Sequence, residues 1–252
     1  MKSIAQIKEE LKTVTADTAD AFIKEYSADE RSGVQALVVK AEKMKDALAK
    51  ELERLEKMRV YEHQYEENYT YICGIDEAGR GPLAGPVVAG AVILPKDKDI
   101  LYVNDSKKLS EKSREELYVQ IMEEALAASV GIVDNEVIDD INILQATYEA
   151  MRQAVASLKV APQALLNDAV IIPGINLPQE KIIKGDAKSI SIASASIIAK
   201  VTRDHMMDEY DKIYPEYGFA KHKGYGTAQH VEALRKYGPC PIHRMSFIKN
   251  LI

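Results

Sequence analysis

The chain has 252 residues, 46% of them hydrophobic, and a formal net charge of −6, which allows a sizeable core and excludes a uniformly basic nucleic-acid-binding surface. Its two cysteines, Cys73 and Cys240, lie far apart and without metal-ligand spacing, which excludes a disulfide scaffold. The longest apolar stretch, "PLAGPVVAGAVILP", is too short and too interrupted by glycine and proline to cross a bilayer, and "MKSIAQIKEELK" lacks the apolar core of a secretory signal. A cytoplasmic monomer is the simplest expectation.

Residues 1–68 are expected to form a helical N-terminal extension. Ser3 with Gln6, and Ser32 with Gln35, have the spacing of capping boxes, in which each side chain satisfies a free amide of the first helical turn. Ile4, Ile7, Leu11 and Val14 follow the first box. Val34, Leu37, Ala41, Met44, Leu48, Leu52 and Leu55 follow the second at near-heptad intervals. The remaining charged face of these helices suits solvent, a protein partner or nucleic acid.

From residue 69 to 252 the pattern changes to strands alternating with helices. Strands are expected near 70–75, 86–94, 128–133, 164–168 and 181–184, and helices near 110–127, 141–158, 189–213 and 227–237. The first strands follow one another directly while later ones are separated by helices, so the expected fold is α/β, a mixed sheet flanked by helices. Charge is also uneven along the chain. Residues 71–180 carry 9 basic and 17 acidic side chains, and residues 181–252 carry 12 and 7, which could set phosphate contacts beside a cation site.

Four carboxylates are the candidate chemistry. Asp76 and Glu77 close the apolar run "YICGI", Asp168 closes "ALLND", and Asp186 sits in "KIIKGDAKS" before a long helix. Strand ends are where α/β sheets place their sites. Carboxylates gathered there repel one another, and divalent cations reverse that repulsion. Asp186 equally fits an N-cap and Asp168 a strand-end turn. The acidic pair followed by "AGRG" has no evident packing purpose: Gly79 and Gly81 let backbone approach a ligand, and Arg80 offers a fork that suits phosphate. Ser106 and Lys107, in "NDSKKLS", add hydroxyl and ammonium donors in what also reads as a polar loop ending in an N-cap at Ser110. Tyr225, between two glycines in "AKHKGYGT", could stack on a sugar or base, or belong to a flexible loop. In "SISIASASIIAKVTRD" the small residues imply close helix packing, and Lys200 and Arg203 face either a site or solvent.

Taken in order, "GIDEAGRGPLAGPVVAGAVIL", "NDSKKLS", "KGDAKSISIASASIIAKVTRD", "KGYGT" and "IHRMSF" resemble the successive motifs of bacterial ribonuclease HII over about residues 70–250. The resemblance implies a ribonuclease H-like fold with a five-stranded mixed sheet and a helical C-terminal portion. It further implies hydrolysis of the RNA strand of RNA/DNA hybrids and a cut on the 5′ side of single ribonucleotides in duplex DNA, leaving 3′-hydroxyl and 5′-phosphate ends. Asp76, Glu77, Asp168 and Asp186 fall on the family's metal-binding carboxylates, which take two Mg²⁺ or Mn²⁺ ions. Gly79, Arg80 and Gly81 match its glycine–arginine–glycine element, and Tyr225 matches the tyrosine that helps to sense the ribose. Asn167 departs from the pattern, standing where the family usually has an apolar strand residue. Two other readings stay open: another carboxylate-and-metal nuclease of the same fold, and a hybrid-binding protein without catalysis.

Overall fold

The computed structural model describes residues 1–96 and 98–251. It divides into two compact units, Met1–Lys57 and Met58–Ile252.

In the first unit, helices α1 (Ile4–Leu11) and α2 (Ala19–Tyr26) precede α3 (Ser32–Met58). The Ser3–Gln6 capping box forms in both directions. Ser32, by contrast, lies inside α3, and the Gln35 amide turns back to the carbonyls of Ser27 (3.1 Å) and Asp29 (2.6 Å). The expected second box is therefore replaced by a tie to the preceding turn, where Arg31 and Asp29 form an ion pair. Ile7, Leu11, Phe22, Tyr26, Val34, Val38 and Ala41 form a small core of their own. Leu52, expected on the apolar stripe, is exposed.

In the second unit, α4 (Val60–Glu66) leads into a five-stranded sheet of β1 (Ile72–Ala78), β2 (Val87–Ile93), β3 (Ala127–Val133), β4 (Ala164–Asp168) and β5 (Gln179–Ile182), in spatial order β3-β2-β1-β4-β5. The pairs β1–β2 and β2–β3 are antiparallel, while β1–β4 and β4–β5 are parallel, which is the mixed sheet expected. Helices α5 (Glu111–Glu124), α6 (Asn135–Ala156) and α7 (Ile190–Ile213) flank it, followed by α8 (Phe219–His222), α9 (Ala228–Tyr237) and α10 (Met245–Ile248).

Strand β1, expected near 70–75, runs from 72 to 78 and takes in Asp76 and Glu77; two further boundaries differ from expectation for local reasons. The helix expected to start near 141 does restart at Asn142, whose side-chain oxygen accepts from the amides of Leu144 and Gln145, but a preceding segment capped by Asp134 joins it at a break (Asn142 φ 67°). Strand β5 lies two residues earlier than expected because Gln179 is drawn into the sheet. Its amide bonds Asn167, Ile172 and Ile175. Asn167 is thus a buried clamp for the β4–β5 connection, and the pairing of Ile75 with Asn167 keeps the strand in register.

Alternation along β1 decides where the chemistry goes. Cys73 and Ile75 face the main core with α6 residues Ala146, Ala150 and Met151. Each fully buried Ile or Leu of such a core contributes about 1.5–3 kcal/mol. Gly74 and Asp76 face α7 instead. At Gly74 a Cβ would collide with the backbone of Ser191 and Ile192, so only glycine lets α7 pack this closely. The Ser189 hydroxyl caps α7 by accepting from the Ile192 amide, and donates to buried Glu62 of α4, which also accepts from the Ser191 amide. A carboxylate at that end complements the helix dipole.

Candidate active site

Because Asp76 sits at the α7-facing side of β1 and Asp168 ends the parallel neighbour β4, the two carboxylates lie side by side at the C-terminal edge of the central strands. Asp76 is only 5% exposed, and its Oδ1 accepts from the Glu77 amide at 2.7 Å. Asp168 Oδ1 accepts from the Gly185 amide at 2.7 Å. That long-range bond holds the single 3₁₀ turn Gly185–Ala187, on which half-buried Asp186 sits. Since Ser189 caps α7, Asp186 is not its N-cap, and Asp168 serves no local turn.

The electrostatics of this edge are those of crowded anions. Burial, then the charges of Glu77 and Asp168, push Asp76 well above the usual carboxylate range. Burial also raises Glu77, joined by Asp168 and opposed by Arg80 and Lys107. Asp186 is raised by burial and by Asp105 and Asp168. Asp105 was not singled out in the sequence, because its neighbours suggested a basic loop. Burial alone would lower the Lys107 ammonium, but Asp76, Asp105 and Asp186 outweigh it and hold it above its ordinary value.

These residues fit hard divalent cations. The donor set is all carboxylate oxygen, and Glu77 Oε2 is buried without any hydrogen-bond partner. Among the described residues no three acidic, imidazole or thiol side chains already converge on one point, so an ion would draw the carboxylates together against their repulsion.

Beside Glu77 opens a cavity of about 570 Å³ lined by Gly79, Arg80, Gly81, Ser106, Lys107 and Tyr225, with Ser196, Lys200 and Arg203 from α7. All six residues singled out for substrate contact therefore share one wall system. Ser106 is buried, its hydroxyl 3.0 Å from that of Ser196; it braces α7 more than it offers a free donor. Arg80 is 3.4 Å from Glu77. Tyr225 is exposed, and a Cβ on Gly81 would lie 3.7 Å from its ring. Lys200 pairs with Asp204 at 2.6 Å.

Sequence reasoning missed the frame behind the cavity. Arg203 and Arg244 are buried, among the described residues neither forms an ion pair, and both donate to carbonyls of the loop 79–86. His222, His230 and His243 are also buried. The Cys240 amide donates to His243 Nδ1 (2.9 Å), His243 and His230 share a bond between their Nε2 atoms (2.9 Å), and His230 Nδ1 donates to the Tyr225 carbonyl (3.0 Å). Burial lowers both rings, His243 to about 4, and the amide of Cys240 and the carbonyl of Tyr225 set the nitrogen roles along the pair. The motif "IHRMSF" carried the signal, but its spacing names no chemistry until the fold places it under the loop.

Comparison with known proteins shows the family. A family model described as Ribonuclease HII matches residues 73–250, and one described as Ribonuclease HII N-terminal domain matches residues 3–66. The chain is 56% identical over 252 residues to a ribonuclease HII of Clostridioides difficile, covering 100% of this chain and 99% of that one. It is 57% identical over 248 residues to that of Lachnoclostridium phytofermentans, covering 98% and 97%. The crystal structure of ribonuclease H2 from Pyrococcus horikoshii is similar with a TM-score of 0.61 and 30% identity, covering 72% of this chain and 96% of that one.

Proposed function

The chain belongs to the ribonuclease HII family of endonucleases, and from that premise we propose that it hydrolyses the RNA strand of RNA/DNA hybrids and cuts on the 5′ side of single ribonucleotides in duplex DNA. The observation that supports this reading is a cavity in which Glu77, the one of the four carboxylates that lines it, meets Gly79–Gly81 and Tyr225, with Asp76 beside Glu77 in β1.

Asp76, Glu77, Asp168 and Asp186 would hold two divalent cations, Mg²⁺ or Mn²⁺. Bound there, the cations supply Lewis acidity toward the scissile phosphate and favour deprotonation of the attacking water. The chain's own residues do the rest. Arg80 and Lys107 offer positive charge to the phosphate backbone. Water adds to phosphorus and the bond to the 3′-oxygen breaks, so the proton balance leaves a 3′-hydroxyl and a 5′-phosphate. Selectivity has to come from the 2′-hydroxyl, the group DNA lacks. We read the backbone of Gly79–Gly81 as the group that meets that hydroxyl, and the exposed Tyr225 ring beside Gly81 as suited to stacking on the adjoining sugar. Residues 1–68 and 69–252 are read as extension and catalytic domain, acting in the cytoplasm as a monomer.

The test is cleavage of an end-labelled DNA duplex holding one ribonucleotide, with Mg²⁺ or EDTA, beside an all-DNA control. A single Mg²⁺-dependent cut 5′ to the ribonucleotide is expected; cutting of the all-DNA control would move the reading to a general nuclease, and binding without cleavage to a hybrid-binding protein. Tyr225→Ala is expected to lower kcat/KM on the single-ribonucleotide duplex by ~10-fold or more, since base or sugar stacking is worth about 1–3 kcal/mol. Unchanged efficiency would remove the tyrosine from the site.

A further inference from the structure

The loop 79–86, "GRGPLAGP", belongs to no strand or helix; backbone bonds hold its second half through the bridge of Ala84 with His243 and the Gly85 amide to Ile242, and its first half, with Pro82 lacking a donor, needs side chains to fix it. Arg244 does so from below. Its Nη2 donates to the Gly79 carbonyl (2.6 Å), Nη1 to those of Arg80 (3.0 Å) and Pro82 (2.8 Å), and Nε to that of Gly85 (3.0 Å). Arg203 adds the carbonyls of Ala84 (3.0 Å) and Pro86 (2.9 Å), and reaches the Lys223 carbonyl (2.8 Å) at the root of the Tyr225 loop. The Leu83 amide donates to the Gly224 carbonyl, joining the two loops directly.

Among the described residues neither guanidinium has a carboxylate within ion-pair distance. Every hydrogen bond from these two buried cations therefore goes to a carbonyl, with the Phe247 ring 5.2 Å from the Arg244 guanidinium and Asp139 and Asp204 acting only from farther off, an arrangement that costs desolvation. Burial lowers Arg203 to about 10 and Arg244 to about 9, so both still carry charge at neutral pH. With the carbonyls turned inward, the amides of Arg80 and Gly81 have no acceptor among the described residues, although both residues line the cavity. Two free amides on a loop pinned at six carbonyls form a preorganised donor pair.

We propose that Arg244, together with Arg203, is a positioning residue: its buried fork turns the Arg80 and Gly81 amides toward the cavity and sets their distance from Tyr225, and so sets selectivity for a ribonucleotide. The inference rests on the function proposed above. It assigns the residue that precedes α10 to substrate discrimination rather than to packing. Lysine keeps the charge at this position but has three donors on one atom, which cannot span four carbonyls. A role of charge alone predicts that lysine suffices; a role of shape predicts that it fails.

The experiment compares the full-length wild type, Arg244→Lys and Arg244→Gln on a duplex with one ribonucleotide and on a long RNA/DNA hybrid, with a Mg²⁺ titration and a thermal melt of each. In the long hybrid every residue offers a 2′-hydroxyl, so misplaced donors matter less. Arg244→Lys is expected to lower the ratio of single-ribonucleotide to hybrid kcat/KM by ~10-fold or more, since sub-ångström misplacement is enough for that, with the Mg²⁺ midpoint unchanged. An unchanged ratio, or an equal loss on both substrates, overturns the proposal. If Arg244→Lys melts below the assay temperature, Arg203→Lys reads the same frame from α7 and decides by the same ratio. A wild type that fails to cut at the ribonucleotide overturns the functional reading and this inference with it; a wild type that cuts, with a ratio that Arg244→Lys leaves alone, overturns this inference only.

Discussion

Asp76→Asn is expected to abolish cleavage, by on the order of 10³-fold or more, while making the metal-free protein more stable. The side chain is buried on the α7-facing side of β1, between Glu77 and Asp168, and its Oδ1 accepts from the Glu77 amide. Asparagine keeps that oxygen and nearly the same volume, so the fold loses little; what disappears is one negative charge. The sign of the stability change follows from the raised pKa. A carboxyl that holds its proton more tightly in the folded state contributes stability at low pH, and that contribution is lost as pH rises through the raised value. Asparagine is neutral throughout and does not suffer the loss. In EDTA near pH 8 a gain of about 1 kcal/mol, or ~2–4 °C in Tm for a chain of this size, is expected, shrinking on acidification. Added Mg²⁺ should stabilise the wild type more than the variant. Retained cleavage would sink the carboxylate mechanism. A lower Tm in EDTA would mean that Asp76 is stabilised by a partner that the crowded-anion picture leaves out.

Much of this edge was legible before any coordinates, and the reason is local. Asp76 and Asp168 each follow an apolar run, and such runs become strands whose ends are fixed by the sheet; Asp186 lies beyond the end of β5 on a 3₁₀ turn that Asp168 holds. The small residues of "SISIASAS" likewise foretold a helix lying close on the sheet, which Gly74 receives. What the sequence hid depends on long-range pairing. Arg244 is 165 residues from Gly79, whose carbonyl it holds. No local pattern distinguishes it from a surface arginine. Gln35 has capping-box spacing, yet a neighbouring turn offers its amide two carbonyls, and that competes successfully with the box. Asn167 read as an anomaly because an isolated polar residue in a strand has no visible partner; Gln179, twelve residues on, supplies it. Asp105 stood in a run of donors, and only the fold sets its charge beside Asp186.

A large effect on the fold is expected at Gly74→Ala, and the contrast with Gly81→Ala isolates its cause. Both changes add one methyl group to a glycine of the same segment. At Gly74 the new Cβ meets backbone atoms of Ser191 and Ile192, which cannot rotate away, so α7 must lift from β1. That helix carries Ser196, Lys200 and Arg203 into the cavity, and Ser189 at its start follows the turn that holds Asp186. A destabilisation of about 3 kcal/mol or more is expected, a large share of the ~5–15 kcal/mol typical of a domain. In urea it should appear as a lower midpoint with an unchanged slope. At Gly81 the new Cβ has only the Tyr225 ring within 4 Å, at 3.7 Å, and the residue is exposed without a left-handed φ. Gly81→Ala should therefore melt within ~1 °C or so of the wild type, as exposed substitutions do, yet cut the single-ribonucleotide duplex poorly because the methyl group narrows the gap in which a ribose would sit. If Gly74→Ala melts like the wild type, α7 is not held to the sheet by this close approach. If Gly81→Ala cuts like the wild type, the space between that glycine and Tyr225 is not where the ribose is read, and the discrimination has to lie on the carboxylate side of the cavity.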